Sequence, residues 1–174
     1  KCVIGIGLNI KPVEVDGKTK AASLQYVSAP NITEIKTSAF YKCENLTSVQ
    51  IPYGVTSIAT GTFMGCKSLK EIDIPFGVTR IETSAFENCS GLTSINIPDR
   101  VTDIEYYAFR GCDGLTPRLL TYNKGTKCYG WIGSTDKCVN VEIPKGVKEI
   151  SISAFEGCEG LTSVNIPTSV KSIG

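Results

Sequence analysis

The chain has 174 residues, enough for one domain with a sizeable core. Its 18 Lys+Arg and 17 Asp+Glu nearly cancel, which removes the electrostatic case for nucleic acid or an anionic membrane surface as partner. No apolar run nears the roughly 20 residues that cross a bilayer, and the chain contains no histidine.

Residues 1–23 read as an N-terminal cap or a worn repeat. Leu8-Asn9-Ile10-Lys11-Pro12 and Ala21-Ala22-Ser23-Leu24 echo the pattern of the later chain, while Val3-Ile4 and Val13-Glu14-Val15 around Asp16-Gly17 would equally suit a hairpin. Gly5-Ile6-Gly7 lacks a third glycine and a following helix, so it does not read as a nucleotide loop.

From residue 24 the chain keeps a fixed period. Phe40, Phe63, Phe86 and Phe109 stand 23 residues apart, and Phe155 comes after twice that spacing. Such a period is the mark of a stacked repeat protein. One unit reads Leu46-x-x-Val49-x-Ile51-Pro52-x-x-Val55-x-x-Ile58-x-x-x-x-Phe63-x-x-Cys66. The Val49-x-Ile51 alternation predicts a strand with one buried face. Pro52, with no N–H to give a ladder, ends it. Val55 and Ile58 predict a second extended side. The small residue before each Phe, with Cys three residues on, predicts one helical turn pointing inward. One such unit cannot offset the entropy of ordering its own backbone, so neighbouring coils must supply each other's walls.

The columns resemble the BspA-like leucine-rich repeats, a resemblance carried most fully by Leu92-Thr93-Ser94-Ile95-Asn96-Ile97-Pro98, Val101, Ile104, Ala108-Phe109 and Gly111-Cys112. It covers about residues 24–174. It implies a right-handed leucine-rich-repeat solenoid with a parallel sheet, and a surface-attached or secreted interaction protein of a host-associated bacterium or parasitic protist. The expected fold class is therefore an α/β repeat protein, mostly β, with short helical turns. The last residues, Val170 to Gly174, fall in the middle of a unit, and the chain lacks an initiator Met. A piece of a longer protein is the expectation.

The unit at about 115–137 keeps its length and loses its residues. Lys124 and Lys127 stand in the Val and Ile columns, Trp131-Ile132 replaces Ala-Phe, and Thr135 replaces Cys. Pro117 predicts a lost ladder bond or a bulge. Two readings stand: a contact loop with Tyr122, Tyr129 and Trp131 as exposed aromatics, or a drifted repeat whose Trp131 fills the core. The second is preferred.

Cys43, Cys66, Cys89, Cys112 and Cys158 share one column, and a ladder of buried free thiols is expected there. Cys128 and Cys138 lie outside it, and a disulfide between them is a candidate in a secreted protein. Cys2 has no evident partner. With no Cys-x-x-Cys pair and no histidine, neither a metal site nor a Ser-His or Cys-His nucleophile is expected.

Outward positions on the first strand form two rows: Ser48, Glu71, Ser94, Asn140 and Ser163, then Gln50, Asp73, Asn96, Glu142 and Asn165. Just past the strands, Tyr53 and Phe76 occupy equivalent places, either projecting outward or folded over the turn. Gln50, Tyr53, Glu71, Asp73, Phe76 and Asn96 are the candidate partner-binding residues. The expected function is a non-catalytic surface or secreted module that binds a protein or glycan on a host or neighbouring cell, in adhesion, with no cofactor. Rival readings are a stalk presenting another domain, a hydrolase using Glu71 and Asp73, and an intracellular scaffold.

Overall fold

The structure, a computed structural model, describes residues 32–174. The cap or worn repeat expected over residues 1–23, and Cys2 with it, lie outside the described residues. Beyond them the chain winds as a β-solenoid of short strands. In chain order these are β1 (Ser57–Ile58), β2 (Glu71–Asp73), β3 (Arg80–Ile81), β4 (Ser94–Asn96), β5 (Asp103–Ile104), β6 (Arg118–Tyr122), β7 (Lys127–Ile132), β8 (Asn140–Glu142), β9 (Glu149–Ile150), β10 (Ser163–Asn165) and β11 (Ser172–Ile173).

The pairing offset equals the sequence period, so each column stacks on itself. On the first side β2 pairs with β4 and β8 with β10, both parallel, bringing Ile72 to Ile95 and Val141 to Val164. A further bridge joins Gln50 to Asp73. On the second side β1, β3 and β5 align Ile58, Ile81 and Ile104. Each first-side strand stops within two residues of its proline. After the proline a turn bends the chain, closed by bonds such as Val55 N–H to Pro52 O and Val78 N–H to Pro75 O.

The corner that carries Ala-Phe is not a continuous helix. It is a run of linked i→i+3 turns with left-handed residues at both ends: Ser38 and Lys42, Gly61 and Gly65, Ser84 and Asn88. Alternate amides of one coil donate to the next, as in Phe40 N–H to Thr62 O and Phe63 N–H to Ala85 O. The corner is thus itself a ladder. Gly111 lies in the same left-handed column, and an added Cβ there would run into the Asn88 side chain of the coil below. Among the described residues the one 3-10 segment is Thr135–Lys137.

The phenylalanines pile in a row. Ring centroids of Phe40–Phe63, Phe63–Phe86 and Phe86–Phe109 are 5.3, 5.4 and 5.5 Å apart, with planes within 11°. Val55, Val78, Val101, Leu69 and Leu92 fill the rest of the interior with no exposure.

The irregular unit is neither a drifted repeat nor a sticky loop. β6 and β7 form an antiparallel hairpin with a register shift between Leu120 and Thr121. Its turn runs through Asn123, Lys124 and Gly125, all with positive φ. Pro117 only precedes β6; the irregularity sits further along. β7 then joins the second side, pairing parallel with β9 so that Cys128 meets Ile150. Tyr122 and Tyr129 are buried, which corrects their reading as exposed aromatics. Trp131 is half-buried, with its indole N–H on Ser134 O at 3.0 Å. The Phe column ends on Tyr129, whose ring meets Phe109 edge-on at 5.5 Å. Its hydroxyl accepts the Phe109 N–H at 3.0 Å, the bond that the next coil's carbonyl takes elsewhere.

Candidate functional site

The first-side strands alternate by burial. Ile72 and Ile95 point in; Glu71, Asp73, Ser94 and Asn96 point out. Both outward rows expected from the sequence are exposed along the whole described solenoid. Period-two geometry places them, because a residue between two buried positions on a strand has only the solvent face left.

The two halves of this face differ. Beyond the hairpin, Asn140 Oδ1 accepts from Thr162 Oγ1 at 2.9 Å and from Ser163 Oγ at 2.6 Å, so those side chains satisfy one another. Before it, Gln50, Glu71, Asp73 and Asn96 engage no side-chain hydrogen bond or ion pair with the described residues. Their donors and acceptors are free for a partner. At the edge of this half, Tyr53 and Phe76 project into solvent, 84% and 67% exposed. The Arg100 guanidinium lies over the Phe76 ring at 5.4 Å from its centroid. The structure therefore brings all six candidate partner-binding residues onto one continuous half-face.

Glu71 and Asp73 share that open face with no cover over them. Nothing desolvates them or holds a substrate against them. The column thiols are no better placed for chemistry. Burial pushes Cys66 up to about 11 and Cys89 up to about 12, so little thiolate is present at neutral pH. Their Sγ atoms donate instead to carbonyls of the coil below, Cys66 to Phe40 O and Cys89 to Phe63 O at 3.1 Å, Cys112 to Phe86 O at 3.0 Å. The expected free-thiol ladder is present at these positions, but Cys43 is disulfide-bonded. Cys128 and Cys138, the candidate bridge, are both buried free thiols and lie in one small core with Cys158.

Two features escape a reading of columns. On the second side, Glu82 and Glu105 each clamp a threonine of the coil below: Thr60 N–H and Oγ1 on Glu82 at 3.1 and 3.2 Å, Thr83 N–H and Oγ1 on Glu105 at 3.0 and 2.7 Å. Thr83, with Arg80 at 2.7 Å, holds the Glu105 carboxyl below its ordinary range. The repeat spacing of Glu82 and Glu105 was the available signal. The other is an open groove across the corners, walled by Tyr41, Met64, Asn88 and Asp113. No spacing rule finds it, because its wall positions differ in kind from coil to coil.

A family described as "BspA type Leucine rich repeat region" matches residues 19–116 and 131–174 in six copies, leaving out all of the hairpin but the last two residues of β7. Among solved structures, the chain is similar to a leucine rich cell surface protein of Faecalibacterium prausnitzii A2-165, at 36% identity and a TM-score of 0.60. That match covers 82% of this chain and 41% of that one, so this chain spans about two fifths of its relative's length. A leucine rich repeat protein of T. pallidum matches at 26% identity and a TM-score of 0.50, over 82% of this chain and 67% of its own. One from Eubacterium ventriosum shares the fold at 20% identity and a TM-score of 0.52, over 78% and 45% of the two chains. No curated protein matches the chain.

Proposed function

The chain belongs to the BspA-type leucine-rich repeat family, and from that premise we propose that it is a non-catalytic binding module. It is displayed at a cell surface or secreted, and takes a protein or glycan on a host or neighbouring cell in adhesion. The observation that carries this reading is the unpaired half-face before the hairpin, where Tyr53 and Phe76 stand exposed beside Gln50, Glu71, Asp73 and Asn96. Exposed rings next to amides and carboxylates that no side chain pairs combine desolvation energy with directional bonds, the usual make-up of a binding hot spot. The cell-surface description of the Faecalibacterium relative supports the location. Without a desolvated acid, base or nucleophile, the face has no means to lower a reaction barrier.

The test is binding of the intact chain to a glycan array and to host epithelial cells. Tyr53→Ala with Phe76→Ala, and separately Glu71→Lys, are compared with wild type. Loss of tenfold or more in retained binding, with far-UV circular dichroism unchanged, is expected. Equal binding by all variants would remove this face from the role and leave the stalk reading in its place.

A further inference from the structure

Two members of the cysteine column depart from its common arrangement, Cys43, which is disulfide-bonded, and Cys158. Cys66, Cys89 and Cys112 each direct Sγ at the backbone carbonyl 26 positions earlier in the chain. Counting back the same way from Cys158 leads to Ile132, inside the hairpin strand, where the coil is shifted. Cys158 packs instead in the same buried cluster as Cys138. Cys138 occupies a place where the repeat calls for leucine, directly before the residue whose carbonyl accepts Thr162 N–H at 2.8 Å. Backbone register thus holds the two coils together at this level, and both sulfurs lie in the same small core with Val141, Val147 and Ile150.

We propose that Cys138 and Cys158 are a disulfide-forming pair that cross-links the segment leaving the hairpin to the coil above it. The oxidant is a low-molecular-weight disulfide such as oxidised glutathione. One protein thiolate attacks a sulfur of that disulfide, expelling a thiolate and leaving a mixed disulfide. The second protein thiolate attacks the protein-side sulfur and expels the other half. Two protein thiols lose two protons and two electrons, and the oxidant becomes two thiols. Cys158, at 7% exposure against none for Cys138, is the sulfur an external disulfide reaches first. Burial and the neighbouring Cys138 push the Cys158 thiol up to about 12, so attack on the closed coil is slow. The bond forms while this coil is open, during folding or in mild denaturant.

Tryptic cleavage separates the relevant thiols cleanly. Cys128 falls in peptide 128–137, Cys138 in 138–145 and Cys158 in 149–171. The intact chain is refolded from urea in a glutathione redox buffer, alkylated, and digested without reduction. A linked pair of peptides 138–145 and 149–171 is expected, with Cys66, Cys89, Cys112 and Cys128 alkylated. The oxidised chain should melt several degrees, roughly 5–10 °C, above its reduced form. Alkylation of both Cys138 and Cys158, or a link from peptide 128–137 to either, overturns the assignment. The mapping uses the native sequence, so it does not depend on a variant folding. As a second measure, Cys158→Ser should leave Cys138 fully alkylatable; a new Cys128–Cys138 link in that variant would show that adjacency of Cys138 and Cys158 does not direct the pairing.

Discussion

Phe63→Ala is the sharpest test of how the coils hold together. Phe63 is fully buried, sandwiched between Phe40 at 5.3 Å and Phe86 at 5.4 Å. Truncating a buried Phe costs about 3–5 kcal/mol, and the loss of two stacked faces places this site at the top of that range, about 5 kcal/mol. In a chain of this size each kcal/mol moves the melting midpoint by about 2–4 °C, so the midpoint should fall by roughly 10–20 °C. Because each coil touches only its neighbours, a hole in a central coil weakens two interfaces together. Thermal and urea unfolding tracked by far-UV circular dichroism reads the effect. Phe155→Ala is the matched control, since Phe155 is half-buried and lies in the second core. Phe63→Leu should fall between, keeping apolar bulk but losing the ring faces. A Phe63→Ala midpoint no lower than that of Phe155→Ala would refute the stacked column as a main source of stability.

Tyr129→Phe removes the hydroxyl that accepts the Phe109 N–H while keeping the edge-on ring. A loss of about 1–3 kcal/mol is expected from the orphaned buried donor, with faster amide exchange at Phe109 than at Phe86. Glu105 has its folded pKa held below the ordinary 4.5, first by the Thr83 hydroxyl, so its stabilisation is complete above that value and lost as pH falls through the lower folded one. Glu105→Gln should therefore lower the urea midpoint at pH 7, by about 1 kcal/mol given its partial exposure, and the gap to wild type should close as pH falls through the lowered folded value; a gap that stays constant with falling pH contradicts the clamp. Gly130→Ala places a Cβ against the Ala154 carbonyl at a φ of +127°, whereas Gly146→Ala at +106° meets nothing within 4 Å. The first is expected to cost about 3 kcal/mol or more and the second about 1–2, read by the same unfolding curves.

What could be read from the residues is what repeats. A buried column recurs at the same offset in every coil, so spacing alone put Ile72 on Ile95 and Phe63 on Phe86, and alternation then placed the outward rows. The hairpin defeated that method because its length fits the period while its pairing does not. Counting by 23 assigns Lys127 to the buried Ile column, yet β7 pairs Cys128 with Ile150, one residue out of step. The slip turns a lysine out to Glu149 at 3.1 Å and a cysteine in. Nothing in a column tally reports a one-residue slip, although the run of Asn123-Lys124-Gly125 between two apolar segments was a hairpin signal.

That slip also explains why the two halves of the molecule have different surfaces. Alternate residues of β7 serve different interiors: Cys128 packs with Val141 and Ile150, Tyr129 with Phe109 and the first stack. The strand is a wall between two cores rather than a link in one. With the hairpin in place of a regular coil, neither β4 nor β8 has a first-side strand from the irregular unit, and the outward rows break between Asn96 and Asn140. Each half-face must then be judged alone. The later one pairs Asn140 with Thr162 and Ser163 and leaves Glu142 and Asn165 unpaired, while the earlier one leaves all of Gln50, Glu71, Asp73 and Asn96 unpaired and alone carries exposed rings, Tyr53 and Phe76. Two exposed rings beside polar side chains that bond only to water give a partner both apolar area to bury and directional groups to pair, so the binding we propose falls on the coils before the hairpin.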